Sequence, residues 1–466
     1  MVERGFLPDF PQEAAVELAS IKAPAEPRKS PGFKDLRGLL WVSIDNDNSR
    51  DLDQLTYAEG NRFFVAVADV DAVVKEGRPI DRAARHNTTS VYTPTAIFPM
   101  LPLKLSNDLT SLNENADRVA IVVEMEIAED GRFHPAGIYP AWVRNKAKLA
   151  YPKVSACLEK GSCFGHPFPS VPGLMKQLAL QDEIAQKIRA YRNAQGAIEF
   201  GIPELEAVIV DGIPVGLHET VRSRAHELIE NYMIAANISV TRFLNHHKLP
   251  TLRRIVKVPK RWGRIVSLAK SLGTDLPPNP DAKALRAFLL KQKVADPIAF
   301  PELSLAVVKL IGRGEYALGA PQGKGLVHFN LSELEYAHTT APNRRYPDII
   351  MQRILKAHLY GDPLPYSKEK LADLATHCTL KQADAEKVER RLSKCAAAMV
   401  MLKEMQRKYK AMVTGRTDRG TWVRLMEYPV EGKLVEGTKN LDVGDYLQVR
   451  LVRADPVLGH LDFGKV

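Results

Sequence analysis

From Leu39 onward, runs of apolar and β-branched residues are set between turn residues. The stretches LLWVSI (39–44), RFFVAVADV (62–70) and VAIVVEMEIA (119–128) predict strands, being short and rich in Val, Ile, Phe and Trp. The period then changes. VRSRAHELIENYMIAANISVTRFLNHHK (221–248) and DIIMQRILKAHLYG (348–361) place apolar residues at helical spacing, and the second runs into a Gly-Asp-Pro stop. A long helix rich in Lys, Glu and Ala is expected over 380–411, its charges forming a solvated face. After Tyr409 short alternating strands return, separated by Gly, Asp and Pro turns, which predicts a small antiparallel barrel. The first 38 residues are Pro-rich, with one helix expected at 11–21, and are too few for a domain of ordinary size. The pattern therefore divides the chain into a short segment (1–38), a large α+β domain (39–405) and a barrel (406–466), with no internal repeat.

Composition bounds what such a chain does. Of its 466 residues 45% are hydrophobic, enough for a large core. No basic stretch leads into an apolar leader at the start, and no apolar run reaches the ~18 residues of a membrane span, so no membrane role is expected. Cys157, Cys163, Cys378 and Cys395 form no CxxC pair and are too few for a disulfide scaffold, which suggests a reducing cytoplasm. The net charge of +10 favours a polyanionic partner, nucleic acid before membrane.

Against that basic background, VSIDNDNSRDLDQLTY (42–57) concentrates acid, with Asp45, Asp47, Asp51 and Asp53 inside nine positions. Crowded carboxylates repel, and burial makes the repulsion worse. A calcium-binding loop of the D-x-D-x-S type needs Gly at its sixth position and Glu at its twelfth; Arg50 and Thr56 stand there and exclude it. Two readings remain: a solvated Asp/Asn turn, or a hard-cation site. In the second, Asp51 and Asp53 alternate on an extended segment and share a side, with Asp45 returning from the preceding strand. Three converging carboxylates suit Mg²⁺ or Mn²⁺, and a pair of such ions activates water against a phosphodiester.

Two basic segments bear on the choice. YAHTTAPNRRYPDIIMQR (336–353) sets Arg344, Arg345 and Arg353 around an Ala-Pro turn, where a guanidinium clamps a phosphate or is an ordinary surface arginine. Between Leu252 and Val266 lie Arg253, Arg254, Lys257, Lys260, Arg261 and Arg264 with no acid among them, either a solvated face or a set of phosphate contacts.

Taken together these segments resemble the ribonuclease II/ribonuclease R family, the 3′→5′ exoribonucleases built on the RNB domain. The likeness runs through IDNDNSRDLDQ (44–54), VAVADVDAVVKEGRPIDRAA (65–84), YTPTAIFPMLPLKLSNDLTSLNEN (92–115), KAKLAY (146–151), ENYMIAAN (230–237) and HFNLSELEYAHTTAPNRRYPD (328–348), in that order. It implies an RNB catalytic domain of mixed sheet and packed helices, followed by a small S1-type OB barrel. It implies that Asp45, Asp51 and Asp53 hold Mg²⁺ (or Mn²⁺), two ions in all, with Asp53 most tied to the chemical step. By the same likeness Arg344 holds the scissile phosphate and Tyr92 stacks near the 3′ end. Arg253, Arg254, Lys257, Arg345 and Trp422 are expected to touch RNA, Trp422 as a stacking residue of the barrel beside Tyr428 and Tyr446.

Three departures qualify the likeness. Gln54 stands where the family has a fourth aspartate, taking one negative charge from the metal site. Leu252 falls where relatives carry an aromatic. The 38 residues before the catalytic domain are too short for the family's paired cold-shock barrels, so these are expected to be lacking. The resulting expectation is a cytoplasmic, monomeric, Mg²⁺-dependent exoribonuclease that takes single-stranded RNA with a free 3′ end and releases 5′-mononucleotides. The alternative is an RNB-fold RNA-binding protein of weakened catalysis.

Overall fold

In a computed structural model of the chain, the residues described are 1–28, 32–160, 169–202, 204–220, 222–319, 327–418, 420–428 and 430–466. The amino-terminal segment carries helix α1 (Gln12–Ser20). Strands β1 (Lys34–Asp35), β2 (Trp41–Asp45), β3 (Gln54–Glu59) and β4 (Arg62–Ala68) follow. Then come helix α2 (Pro79–Asn87), the small hairpin β5 (Val91–Tyr92) and β6 (Ile97–Phe98), and the long strands β7 (Asp117–Ile127) and β8 (Phe133–Ala150). The main sheet runs β1-β8-β2-β3-β4-β7 and is mixed, since β8 is parallel to β1 and β2 while the remaining neighbours are antiparallel.

Strand β8 closes that sheet on itself. Its first two-thirds pair with β7, from Phe133 against Ile127 to Arg144 against Asp117, and its end pairs with β2 up to Ala150 against Asp45. The closure brings the end of β2, and with it the acidic loop, beside the chain that leaves β8 into helix α3 (Tyr151–Lys160). Helix α4 (Leu174–Gln195) reaches the sheet through Gln177 and Gln181, which bond Ala58 and Thr56 of β3. The hairpin β9 (Glu204–Val210) and β10 (Ile213–Thr220) leads to α5 (Arg224–His246), whose Leu228, Tyr232, Ala235 and Ile238 are buried in the main core with Phe63, Val65 and Ile349.

Strand β11 (Thr251–Val256) precedes a satellite bundle of α6 (Trp262–Ser271), α7 (Ala282–Ala295) and α8 (Phe300–Ile311), with Trp262, Phe288 and Phe300 in its own small core, and pairs antiparallel with β12 (Gly314–Gly319). Helix α9 (Tyr346–Tyr360) and the long helix α10 (Lys368–Met401) complete the larger domain. The expected helix over 380–411 is therefore displaced. Ser367 caps it at Lys370, well before residue 380, and strand β13 (Lys408–Thr417) claims its expected end. The last five strands, β13, β14 (Gly420–Leu425), β15 (Glu431–Glu436), β16 (Tyr446–Asp455) and β17 (His460–Lys465), form a closed barrel in the order β13-β14-β15-β17-β16, as an OB fold does. One pairing departs from the antiparallel expectation: β15 and β17 run parallel. Phe463, Leu451 and Val423 fill its interior.

The amino-terminal segment is docked rather than free. Phe6 is buried with Val91, Ala385 and Val388, and Ala14 enters the main core. Cys157 is disulfide-bonded, which departs from the reduced state expected of the cysteines; Cys378 and Cys395 are free thiols, and Cys163 lies outside the described residues. Among the described residues no helix is long and apolar enough to cross a membrane.

A buried charge network fixes α9. Lys356 donates to Asp69 at 2.6 Å and lies 2.9 Å from Asp71; Arg353 donates to Asp71 at 2.9 Å and lies 2.8 Å from Asp81. Burial alone would push the Asp71 carboxyl up, but Lys356 and Arg353 outweigh it and hold it below the usual range. Removing one member strands the others in a low-dielectric interior, which costs about 3–5 kcal/mol for a buried pair. Lys356→Met, which keeps the stem and deletes the charge, is accordingly expected to lower unfolding free energy by about that amount in urea melts. A loss below about 1 kcal/mol, the size typical of exposed pairs, would show that the network is not what anchors the helix.

Candidate active site

The acidic loop begins where β2 runs out of partners. Asp45 takes the Asn46 N–H at 2.9 Å and the Ser49 hydroxyl at 3.0 Å on Oδ1, and Ser49 N–H closes onto Asn46 O at 3.0 Å, so the first half is a tight polar turn. The second half is tied to a neighbouring loop. Leu52 N–H donates to Ser111 Oγ at 3.0 Å, Ser111 Oγ donates to Arg50 O at 2.7 Å, and Leu112 N–H donates to Leu52 O at 3.0 Å. Leu52 enters the main core. Asp51 and Asp53, on either side of Leu52, lie near enough for the charge of one to act on the other.

Asp53 is 1% exposed. Its Oδ1 accepts the Asn343 N–H at 2.8 Å and its Oδ2 accepts Arg344 Nε at 3.1 Å, so two segments 290 residues apart meet on one carboxylate. Burial still pushes its pKa up to about 7; Arg344 opposes the rise and Asp51 adds to it. Burial raises Asp51 as well, with Arg344 opposing and Asp45 adding. Asp45, Asp51, Asp53 and Arg344 thus share one locus. Burial works against the Arg344 charge, but Asp53, Tyr92 and Asp45 outweigh it and hold the guanidinium protonated.

The turn bearing Arg344 is fixed on both sides. Arg344 O accepts the Ser90 N–H at 3.0 Å and the Thr89 hydroxyl at 3.1 Å, and Asn343 Oδ1 accepts the Thr110 hydroxyl at 2.6 Å. Behind it, Asp348 on the first turn of α9 is fully buried and takes Ala341 N–H at 2.8 Å and Arg345 Nη2 at 2.7 Å. Tyr92 on β5 stands over the cluster, its hydroxyl 3.5 Å from Asp51 Oδ2, and the residue as a whole is 40% exposed. Tyr151 faces the same charges: burial and then Asp45 push its phenol up, and its ring stacks on His226 at 3.9 Å. Sequence reasoning gave Tyr151 no role. The available signal was its place as the residue after Ala150, the strand partner of Asp45.

The cluster opens into a cavity of about 890 Å³ whose wall includes Asp51 and Tyr92, Leu205 and Leu217 of the β9–β10 hairpin, Arg390 of α10, and Arg424 of the barrel. The cavity is therefore built between the two domains. Arg424 bridges them directly, 2.8 Å from Glu302 of α8.

Several expected residues lie elsewhere. Arg253 is 3% exposed on β11, and its guanidinium bonds Asn245, Leu334 O and Thr251, so it is a buried strut rather than an RNA contact. Arg254 lies over the Tyr316 ring at 4.9 Å, with Nη1 buried. Lys257 pairs with Glu315, and Arg345 is held by Asp348. The absence of acid near Arg253 in sequence misled because Glu315 comes from the paired strand β12. Trp422 is half-buried on β14, packed beside Gly415 and outside the cavity wall. Gln54 begins β3 opposite Val67 and is 8% exposed.

The donors fit a hard cation in kind, since all are oxygens and Asp51 and Asp53 are carboxylates raised by burial with one cation between them. The convergence expected of the three aspartates is only partial. Among the described residues no three His, Cys, Asp or Glu side chains are gathered closely enough to hold an ion, and both Asp53 oxygens are engaged by Asn343 and Arg344.

Comparison with known proteins places this arrangement. The model of the RNB domain matches residues 33–361, and that of the RNase II-type exonuclease C-terminal S1 domain matches 407–466. Ribonuclease R of Escherichia coli (strain K12) is 31% identical over 442 residues, covering 91% of this chain and 53% of the relative. Ribonuclease R of Thermotoga maritima is 29% identical over 496 residues, covering 98% and 68%. The chain thus spans about half the length of the E. coli relative. Among solved structures, Mycoplasma genitalium RNase R in complex with ribose methylated single-stranded RNA shares the fold at a TM-score of 0.91 and 23% identity, covering 100% of this chain and 77% of that one. With the RNB model matched over most of its length and the S1 model over its terminal barrel, the chain belongs to the RNB family.

Proposed function

We propose that this protein is a hydrolytic 3′→5′ exoribonuclease that shortens single-stranded RNA to 5′-mononucleotides, acting as a cytoplasmic monomer. The observation that carries the reading is Asp53, buried at the meeting of the acidic loop and the Arg344 turn beside a large cavity. The M. genitalium relative, with RNA in its structure, makes RNA the substrate of choice. The division into 39–405 for catalysis and 406–466 for RNA binding follows the same reading.

Arg344 has Nε turned to Asp53, which orients the guanidinium fork so that its terminal N–H groups meet a phosphate and offset the charge developing there. Tyr92, at the cavity wall, offers a face on which the terminal base stacks. Asp45, Asp51, Asp53 and the amide oxygen of Gln54 are the donors that would hold Mg²⁺ or Mn²⁺, two ions in this reading. Such ions supply an activated water and neutralise phosphate charge. Thr110 and Asn343 keep the Asp53 carboxylate and Arg344 in register.

The test is a digestion of 3′- and 5′-labelled RNA with Mg²⁺ or with EDTA. The 3′ label should leave at once as mononucleotide while the 5′ label steps down a ladder, and EDTA should stop both. Gln54 favours one rival, an RNA-binding RNB fold of weak turnover; RNA bound but uncut in Mg²⁺ would establish it.

Asp53→Asn should abolish cleavage while leaving RNA affinity nearly intact, because it removes a donor's charge without changing the cavity. Arg344→Ala should cost roughly 10²–10³ in rate, the usual size for one preorganised donor. Wild-type turnover by the Asp53→Asn protein would refute the site. The same variant carries a pH signature. A carboxyl raised to about 7 in the fold holds its proton more tightly than in the unfolded chain, so its contribution is full below the unfolded value near 3.8 and is lost as pH rises through 7. In EDTA, the melting temperature of Asp53→Asn relative to wild type should therefore climb between pH 5 and pH 8, on the order of the window that shift defines. A difference independent of pH would show that Asp53 is not strained by burial.

Gln54→Asp restores the missing charge and should lower the Mg²⁺ concentration for half-maximal rate. Superimposable metal titrations for the two proteins would place Gln54 outside the metal site.

A further inference from the structure

Helix α10 carries Lys387, Arg390, Arg391 and Lys394 at positions i, i+3, i+4 and i+7, which puts all four on one face. Like charges at these spacings repel by a few tenths of a kcal/mol each, so the row is not there for the helix's own stability. Two of its members have local acidic partners, Lys387 with Asp384 at 2.8 Å and Arg391 with Glu3 at 3.2 Å, both pairs well exposed and therefore weak. The four cations, with Leu458 and His460 of the barrel, line a second cavity of about 400 Å³, and among the described residues no acid lines its wall.

The opposite wall of this cavity is placed deliberately close. Gly459, in the turn between β16 and β17, has φ +67°, and a Cβ there would come within 2.9 Å of Lys394 Cβ and 3.0 Å of the Cys395 backbone nitrogen. Cys395 Sγ donates to Val457 O at 3.5 Å, tying the same turn to α10. Only glycine permits that approach, and the approach is what sets His460 against the cation row. Arg390 and Lys394 also line the 890 Å³ cavity above Asp51 and Tyr92, so the two spaces share a wall.

We propose that this basic port between α10 and the barrel is a second phosphate-binding subsite, taking the backbone of the same RNA strand upstream of the segment in the main cavity. The inference rests on the reading of this chain as an RNA-processing enzyme. Cations one helical turn apart, roughly 5–6 Å between Cβ atoms, present a ladder of point charges and two guanidinium forks to successive phosphates. Among the described residues no Phe, Tyr or Trp lines the port and its one ring is the His460 imidazole, so with four cations it reads chiefly backbone charge rather than base identity.

The experiment measures binding in EDTA, where cleavage does not intervene, by fluorescence anisotropy with RNA of roughly 2 to 16 nucleotides. Wild type is compared with the Lys387→Gln/Arg391→Gln protein, two surface changes at cations that line only the port and not the main cavity, whose fold is checked by its melting curve. Wild-type affinity should step up once the strand is long enough to reach the port, and the variant should lose that step. The slope of log affinity against log salt should also fall by ~0.7 for each phosphate contact removed, hence by about 1–1.5 for the long strands alone. Lys387→Arg/Arg391→Lys, which keeps the charge, should retain most of the slope. Unchanged slope and length dependence in the glutamine variant would overturn the port while leaving the enzyme reading intact. A loss equal at every length would overturn it too, by moving the effect of Lys387 and Arg391 into the main cavity. Failure of wild type to bind any of the strands would overturn both.

Discussion

The Asp53 carboxylate is the constraint around which the larger domain is arranged. A nearly inaccessible carboxylate is costly unless it is hydrogen-bonded, and the two donors that satisfy it come from the far side of the sequence, Asn343 and Arg344. The fold must therefore hold the end of β2, the loop leading into β3 and the turn before α9 in one place. Closure of the sheet by β8 positions the first of these, and the anchoring of α9 positions the last.

The anchoring is itself electrostatic. Asp348 at the helix start holds the Ala341–Arg345 turn, while Arg353 and Lys356 farther along tie α9 to Asp69, Asp71 and Asp81. Tyr346 and Tyr366 add hydroxyls to Asp81 and Arg353. A helix held by directional buried pairs cannot rotate without breaking several at once, so the guanidinium of Arg344 inherits a fixed origin. Such pairs contribute little net stability against an apolar alternative, and positional fixity is what they add here.

How much of this was legible in the sequence depends on whether a feature is local. Strands β2, β4 and β7 follow from short β-branched runs, and α5 and α9 from apolar spacing, because each pattern reports burial of its own residues. Strand β8 is not predicted by the pattern, since Pro135, Gly137 and Pro140 break its first half as a strand signal; pairing with β7 overrides them, with a register shift between Glu124 and Met125 taking up the irregularity. Arg253 looked like a surface cation for the same reason. Its partners, Asn245 and Leu334 O, are supplied by tertiary packing that no window of sequence contains. The acidic loop and Arg344 turn were recognisable by resemblance, whereas their meeting on Asp53, rather than on one another's flanks, is a fact of the fold.

The barrel's role in the site follows from what the cavity is made of. Neither domain encloses it alone: Asp51 and Tyr92 give the floor, and Arg424 and Leu461 of the barrel give part of the wall. Leu205 and Leu217 of the β9–β10 hairpin pack onto the barrel core, and Arg424, itself 9% exposed, meets Glu302 whose carboxyl is raised by burial against that arginine's pull. Apolar contact fixes the distance between the domains, and the buried pair fixes their register. Any ligand held there touches both domains at once, so ordering it is helped by a wall already in place, which is the condition under which binding energy is available for positioning rather than for assembling the site.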